Sequence, residues 1–322
     1  MIPLLITTIN PETKAITEFS KLDDVKLVIV GDKKTPEYLQ SNIDYLSVDR
    51  QADEYCKLSS ALPFNHYCRK NIGYVHINKN YGSSIFAETD DDNIPRKDWY
   101  EQIRNFDMSK MISSKDDWVN IYKYFTESHV WPRGFPLEKI QDSDQSKVNN
   151  VFSQNIGVLQ GMADVDPDVD AIYRLVIGKN ITFKEDRLFL DKGVYSPFNS
   201  QNTSWLKELI TLAYLPCLVT FRYTDILRSM VAQRIMWEHG FNVGFTGPTV
   251  YQDRNEHDLM KDFYDEVPMY SNQLKLTGIL NNINFTSKSL KDNIFHTYQV
   301  LEEKGIVPMG ETAILNEFLS EL

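Results

Sequence analysis

Ile85-Phe86-Ala87-Glu88-Thr89-Asp90-Asp91-Asp92-Asn93-Ile94-Pro95 is the stretch whose reading decides the fold. The apolar run Ile85-Phe86-Ala87 reads as a buried strand, and it ends in three consecutive carboxylates, Asp90, Asp91 and Asp92. Like charges gathered at one strand end repel and need compensation. A divalent cation is the direct compensator, because hard carboxylate oxygens suit Mg²⁺ or Mn²⁺. A metal held by one or two carboxylates commonly shares its remaining positions with a substrate diphosphate. The plain alternative is a solvated acidic turn.

Upstream, Leu4 to Ile9 and Val25 to Val30 are apolar runs of strand length, and Leu46-Ser47-Val48 reads as a third strand. Between them lie helical patterns over residues 13–21, 51–60 and 65–71, and Thr35-Pro36-Glu37 has the form of a helix start. Residues 74–78 fit either state. This alternation predicts an α/β fold, with a mostly parallel central sheet and helices on both faces. Ligands of such sheets bind beyond the carboxyl ends of the strands. Gly31 and Asp32 end one strand and Asp90 to Asp92 end another, so a nucleotide is expected to span them. A tight turn is the simpler reading of Gly31-Asp32 alone.

The polar stretch Gln141 to Lys147 divides the chain into residues 1–140 and 141–322, expected to pack as one continuous domain. In the second half, Leu227, Val231 and Ile235 share one face of a helix over residues 225–239, which Gly240 is placed to end. The segment beyond Ser289 also reads as helical.

Composition narrows the function classes. The 322 residues are 42% apolar and carry a net charge of −11, with a pI near 5.1. That balance argues against a nucleic-acid partner. Cys56, Cys68 and Cys217 are scattered and odd in number, which predicts a reducing compartment rather than a disulfide framework. The opening Met1-Ile2-Pro3-Leu4-Leu5-Ile6 turns polar too soon for a signal peptide or membrane span. The expected location is therefore cytoplasmic, including the inner face of a membrane.

Just before the acidic strand stands Tyr67-Cys68-Arg69-Lys70-Asn71-Ile72-Gly73-Tyr74. Arg69 and Lys70 supply cationic donors suited to a diphosphate; a solvated basic pair on a helix is the alternative. With the acidic strand, this segment resembles the nucleotide-sugar glycosyltransferases of the GT-A fold. More narrowly, Gly31-Asp32-Lys33-Lys34-Thr35-Pro36, Trp131-Pro132-Arg133-Gly134-Phe135-Pro136-Leu137, Pro167-Asp168-Val169-Asp170, Pro197-Phe198-Asn199-Ser200-Gln201-Asn202-Thr203 and Ala232-Gln233-Arg234-Ile235-Met236-Trp237-Glu238 resemble the STELLO family of glycosyltransferases. There is a fainter similarity to the reversibly glycosylated polypeptides, which act as UDP-arabinopyranose mutases. The matching segments run from about residue 28 to residue 260.

The resemblance implies a metal-dependent transferase using Mn²⁺ or Mg²⁺. It would move a sugar from a nucleoside-diphosphate sugar to a hydroxyl of a glycan or lipid-linked acceptor, in polysaccharide biosynthesis, at a membrane surface or in a biosynthetic assembly. Asp90 and Asp92 would hold the metal as the outer members of an Asp-x-Asp motif, with His257 as a further ligand. Gly31, Asp32, Arg69, Lys70, Asp90, Asp91 and Arg133 would contact the nucleotide. Residues 1–140 would form the nucleotide-sugar half and 141–322 the acceptor-side, helical half. An inverting transfer needs a carboxylate base, for which Asp225, Asp168 and Asp170 are the candidates. Asp225 is equally a helix-capping residue. The rival expectations are a nucleotide-sugar mutase and a non-catalytic sugar-nucleotide or glycan-binding protein.

Overall fold

The period-2 alternation of the first strands sets the architecture, here seen in a computed structural model that describes every residue except 39, 41, 144, 152–153 and 255–257. In β1 (Ile2–Thr8) and β2 (Val25–Gly31), Leu4, Ile6, Leu27 and Ile29 point to one face, and Leu5, Val28 and Val30 to the other. Both faces are apolar, so both must be covered. Helix α1 (Lys14–Ser20) covers the first with Ile16 and Phe19. The second lies under Ile72 and Val75, which belong to a helix over Lys70–Asn80.

The remaining elements follow in chain order. They are β3 (Ile43–Leu46), α2 (Val48–Glu54), α3 (Cys56–Ala61), α4 (Lys70–Asn80), β4 (Ile85–Thr89), β5 (Asn93–Pro95), α5 (Trp99–Ile103), β6 (Lys110–Ser114) and β7 (Ser146–Asn150). Then come β8 (Ile156–Asp164), α6 (Ala171–Val176), β9 (Arg187–Leu190), β10 (Asn202–Leu206), α7 (Thr224–Glu238), β11 (Asn242–Gln252), α8 (Leu259–Asn281), α9 (Leu290–Glu303) and α10 (Glu311–Glu321). The expected helix over residues 225–239 and the helical C-terminus are therefore present, and residues 74–78 are helical.

Among the described residues the strands form one sheet in the order β3-β2-β1-β4-β10-β8-β11-β9-β6-β7, with β5 added to β11. The first four are mutually parallel. β10 then inserts antiparallel to both β4 and β8, and β11 runs parallel to β8. Two reversals restore direction, so β1, β2, β4, β8 and β11 all end at the same edge. The sheet is thus α/β and mixed, with its parallel part where the helix–strand alternation predicted it.

Two local expectations are corrected. Residues 35–37 form no helix, because the Thr35 hydroxyl is engaged elsewhere. It accepts from the Asp32 amide at 2.8 Å and donates to the Thr8 carbonyl at 2.6 Å, tying β2's exit to β1. Nor is Leu46-Ser47-Val48 a strand. β3 ends at Leu46, and Ser47 caps α2 by accepting from the Arg50 amide.

Gly73 explains how α4 sits so close. A Cβ there would stand 2.2 Å from Leu5 Cδ1 and 2.9 Å from Val30 Cγ2. The Arg-Lys-Asn-Ile-Gly-Tyr motif is accordingly a helix–sheet packing element, with Arg69, Lys70 and Asn71 fully buried.

Candidate active site

A cleft of about 560 Å³ opens where the co-directional β1, β2, β4, β8 and β11 end. Its size is ordinary for a small-ligand site. Thr7 and Thr8 come from β1, Asp32 from the exit of β2, Asp90 to Asp92 from the exit of β4, Asp168 from beyond β8, and Gln252 and Arg254 from the end of β11. This is the edge at which α/β sheets bind ligands.

The three adjacent carboxylates do different work. Asp91 is turned back into the fold: its Oδ2 accepts from Thr8 Oγ1 at 2.5 Å and from Asn10 Nδ2 at 2.9 Å. Asp90 and Asp92 stand on either side of it. Asp92 Oδ2 accepts from Gln252 Nε2 at 3.1 Å, and Asp90 Oδ1 accepts from the Tyr67 hydroxyl at 2.6 Å. Burial pushes the Asp90 carboxyl up to about 7; Asp92 and Asp225 add to the rise, against the opposing pull of Lys70. Asp32 accepts from two backbone amides, Lys33 at its Oδ1 and Asn65 at its Oδ2, each at 2.7 Å, and so fixes the loop that forms one rim.

Across the cleft floor, Arg133 joins two carboxylates. Its Nε and Nη2 donate to Asp168 at 2.7 and 2.8 Å, and its Nη1 and Nη2 donate to Asp225 at 3.0 Å each. Burial alone would raise the Asp225 carboxyl, but Arg133, with Arg228 and Arg222 further off, holds it down to about 2. Ser200 adds two contacts to Asp225 Oδ2, from its amide at 3.3 Å and its hydroxyl at 3.2 Å.

The structure therefore brings Asp32, Asp90, Asp91, Asp92, Arg133, Asp168 and Asp225 to one cavity. It places the other expected residues elsewhere. Arg69 is buried and does not reach the cleft. It donates to Gln51 Oε1 and Ser59 Oγ, and to the carbonyls of Ser59 and Leu62 at the end of α3, and it stacks on Phe64. Lys70 is buried beneath the acidic turn, where its Nζ donates to the Tyr67 hydroxyl at 2.8 Å and lies 3.6 Å from Glu88 Oε2. Gly31 lies off the cleft, and its missing side chain makes room for Tyr45, whose hydroxyl is 2.5 Å from where a Cβ would stand. Asp170 is fully buried as the cap of α6, accepting from the Tyr173 amide at 2.8 Å and from Trp131 Nε1 at 2.6 Å. His257 lies outside the described residues.

Sequence reading missed three arginines of the cleft, Arg174, Arg222 and Arg254. Each has an acidic neighbour. Arg174 pairs with Asp166, Arg222 Nε donates to Glu266 at 2.9 Å, and Arg254 Nη2 donates to Asp262 at 3.1 Å. Burial, then Arg174 and Arg222, lower Arg254 to about 10, so the three guanidinium groups crowd one another. The cleft is acidic at the β1–β4 end and cationic at the α6–β11 end. No sequence spacing joins residues 174, 222 and 254; only the fold does.

Comparison with known proteins agrees with the resemblance carried by the short motifs. Residues 222–322 match the family described as STELLO glycosyltransferases. "Probable glycosyltransferase STELLO1" of Arabidopsis thaliana is 26% identical over 319 residues, covering 91% of this chain and 40% of that protein. "Probable glycosyltransferase STELLO2" of the same plant is 24% identical over 325 residues, covering 94% and 42%. The chain is similar to these STELLO glycosyltransferases, and it spans about two-fifths of their length. Among solved structures, S. aureus TarS 1-349 in complex with UDP-GlcNAc is similar with a TM-score of 0.45 at 12% identity, covering 100% of this chain and 80% of that one. No described helix is long and apolar enough to cross a membrane.

Proposed function

We propose that this chain is a glycosyltransferase domain of the GT-A kind, which takes a nucleoside-diphosphate sugar in the cleft and transfers the sugar to a glycan or lipid-linked hydroxyl. The observation that carries the reading is the convergence of Asp90 and Asp92, beyond the carboxyl end of β4, with Asp32, beyond that of the co-directional β2, lining one cavity. The similarity to the STELLO glycosyltransferases supports it.

The acidic end fits Mn²⁺ or Mg²⁺. A buried Asp90 carboxyl raised to about 7 by burial and by Asp92 is the condition that a nearby cation would relieve. Among the described residues no three His, Cys, Asp or Glu side chains form a metal cluster. Asp90 and Asp92 would thus be the protein's ligands, and diphosphate oxygens and water would complete the shell. When bound, the ion supplies positive charge to the leaving diphosphate.

The chain's own residues do the rest. Asp91, tied to Thr8 and Asn10, sets the angle of the acidic turn. Tyr67 and Lys70 support Asp90 from below. Asp32 and the loop it fixes border the nucleotide end. In the transfer, the acceptor oxygen bonds to the anomeric carbon, the bond from that carbon to the diphosphate oxygen breaks, and the diphosphate leaves with the electron pair. The acceptor proton passes to a carboxylate or to water.

A nucleotide-sugar mutase is the second reading, and one observation favours it. Asp168 and Asp225, the base candidates that line the cleft, are both committed to Arg133, and Arg133 holds the Asp225 carboxyl down to about 2, which makes it a weak proton acceptor. A mutase uses the same donor site without an external acceptor. Incubating the protein with a panel of nucleotide sugars and Mn²⁺, read by mass spectrometry and chromatography, tests both readings. Sugar transfer or metal-dependent donor hydrolysis supports the first and ring-form change the second. Absence of nucleotide binding by calorimetry overturns both.

A further inference from the structure

A second hollow, of about 350 Å³, adjoins the cationic end of the cleft and shares Arg174 and Arg254 with it. Its wall also carries Asp166, Tyr173, Lys179 and Asn180. Among the described residues, the charges facing this hollow are three cations, Arg174, Lys179 and Arg254, against the single carboxylate of Asp166. That balance is the reverse of the chain's net charge of −11. Asp166 is moreover shared: Arg174 pairs with its Oδ1, and Arg254 Nε lies 3.9 Å from its Oδ2.

The backbone that sets this arrangement is strained. Val165 sits at φ 76°, a conformation that a β-branched residue rarely adopts. It is held there by paired backbone bonds with Ile181, at 2.8 and 3.1 Å. The twist turns the chain out of β8 so that Asp166 faces the arginines of the hollow while Asp168, two residues on, faces Arg133 in the cleft. Strain of this kind concentrates at functional sites. The segment partitions the two cavities, with the acidic turn in one and the excess of cations in the other.

We propose that the second hollow is the acceptor subsite and that it takes an anionic acceptor, a glycan chain bearing carboxylate or phosphate groups near the hydroxyl that is glycosylated. The inference rests on the transferase reading, since it assigns the donor to the first cavity. Arg174 and Arg254 stand where the two substrates would meet, and Lys179, exposed on the outer wall, meets the chain as it enters. Guanidinium and ammonium donors favour carboxylate and phosphate oxygens over neutral hydroxyls.

Calorimetry on the whole chain tests this with four probes: trigalacturonate, its methyl ester, maltotriose and a maltotriose phosphorylated at one end. UDP with Mn²⁺ is titrated separately. One of the charged oligomers should bind at least about tenfold more tightly than its neutral counterpart, and Lys179→Glu and Arg254→Gln should each remove most of that preference. Preference for the ester-sensitive probe identifies a carboxylate acceptor, and preference for the phosphorylated one a phosphate acceptor. Equal binding of charged and neutral oligomers, or none of either, overturns the proposal. So does a loss in the variants that falls on UDP alone, since the arginines would then belong to the donor diphosphate. Failure of the wild type to bind UDP counts against the transferase reading instead, and the oligomer titrations, run without nucleotide, still decide the charge preference of the hollow.

Discussion

Arg133 meets Asp225 end-on, Nη1 to Oδ1 and Nη2 to Oδ2, both at 3.0 Å, while the same guanidinium grips Asp168 side-on through Nε and Nη2. All three side chains are nearly fully buried. Removing one partner of a buried pair leaves an uncompensated charge, which costs about 3–5 kcal/mol. Asp225→Asn is therefore expected to destabilise the protein by roughly 3 kcal/mol, the retained Asp168 keeping it at the low end. Urea denaturation measures this. Loss of activity in that variant would not by itself identify a base. The pH profile of kcat/KM separates the roles: with Asp225 held near 2, the wild-type profile should show no acid limb from this residue between pH 5 and pH 8. A limb in that range that disappears in Asp225→Asn would restore Asp225 as the base.

Arg69 and Asp92 should behave in opposite ways. Arg69→Met removes a buried guanidinium that satisfies the Ser59 and Leu62 carbonyls and Gln51, so stability should fall by on the order of 3 kcal/mol. At a temperature where the variant is folded, its affinity for a nucleoside diphosphate should equal that of the wild type. A selective loss of diphosphate affinity, with free nucleoside unaffected, would show that Arg69 reaches the ligand after all.

Asp92→Asn should do the reverse. With Mn²⁺ present, nucleoside-diphosphate affinity should drop by at least about tenfold, the scale of one lost charge-assisted contact, and stability should change little. Chelator should weaken the wild type as strongly and leave the variant nearly unaffected. Equal binding with and without chelator in the wild type removes the metal from the reading.

The acidic turn was legible because three carboxylates on an apolar strand are conspicuous, and because a parallel sheet sends its strand ends to one edge. Arg69 and Lys70 were misread for a physical reason. In a helix-length segment, polar residues are expected to face water or ligand, and the sequence cannot show that α3 ends with carbonyls in need of a buried donor. The Gly73 contact, which presses α4 against β1 and buries its first residues, is likewise visible only in three dimensions. Arg133 and Asp225 were found as isolated candidates, but their pairing spans 92 positions, and it changes the chemistry of both. Nothing in the sequence around Arg174, Arg222 and Arg254 marks them as members of one site. They meet because β8, α7 and β11 return to the same edge through the antiparallel insertion of β10, a topology that no local pattern encodes.

Asp170 offers a test of the burial argument by pH alone. Burial lifts its carboxyl to about 6, and Glu266 adds to the rise against the bonds from Tyr173 and Trp131. An unfolded Asp titrates near ~3.9. Between the two values the folded chain binds more protons than the unfolded chain, so this residue's contribution to stability falls as pH rises from about 4 to about 6 and is level above that. The span is about two pH units, or on the order of 2–3 kcal/mol. Asp170→Asn cannot ionise, although it keeps a cap for the Tyr173 amide and loses the acceptor facing Trp131. That loss is a constant offset. The stability of Asp170→Asn relative to wild type should therefore improve by on the order of 2 kcal/mol between pH 4.5 and pH 7.5. Urea midpoints at the two values measure it. A pH-independent difference would mean that Asp170 is ionised throughout, as an accessible carboxylate would be, and would return it to the list of residues able to take a proton from an acceptor.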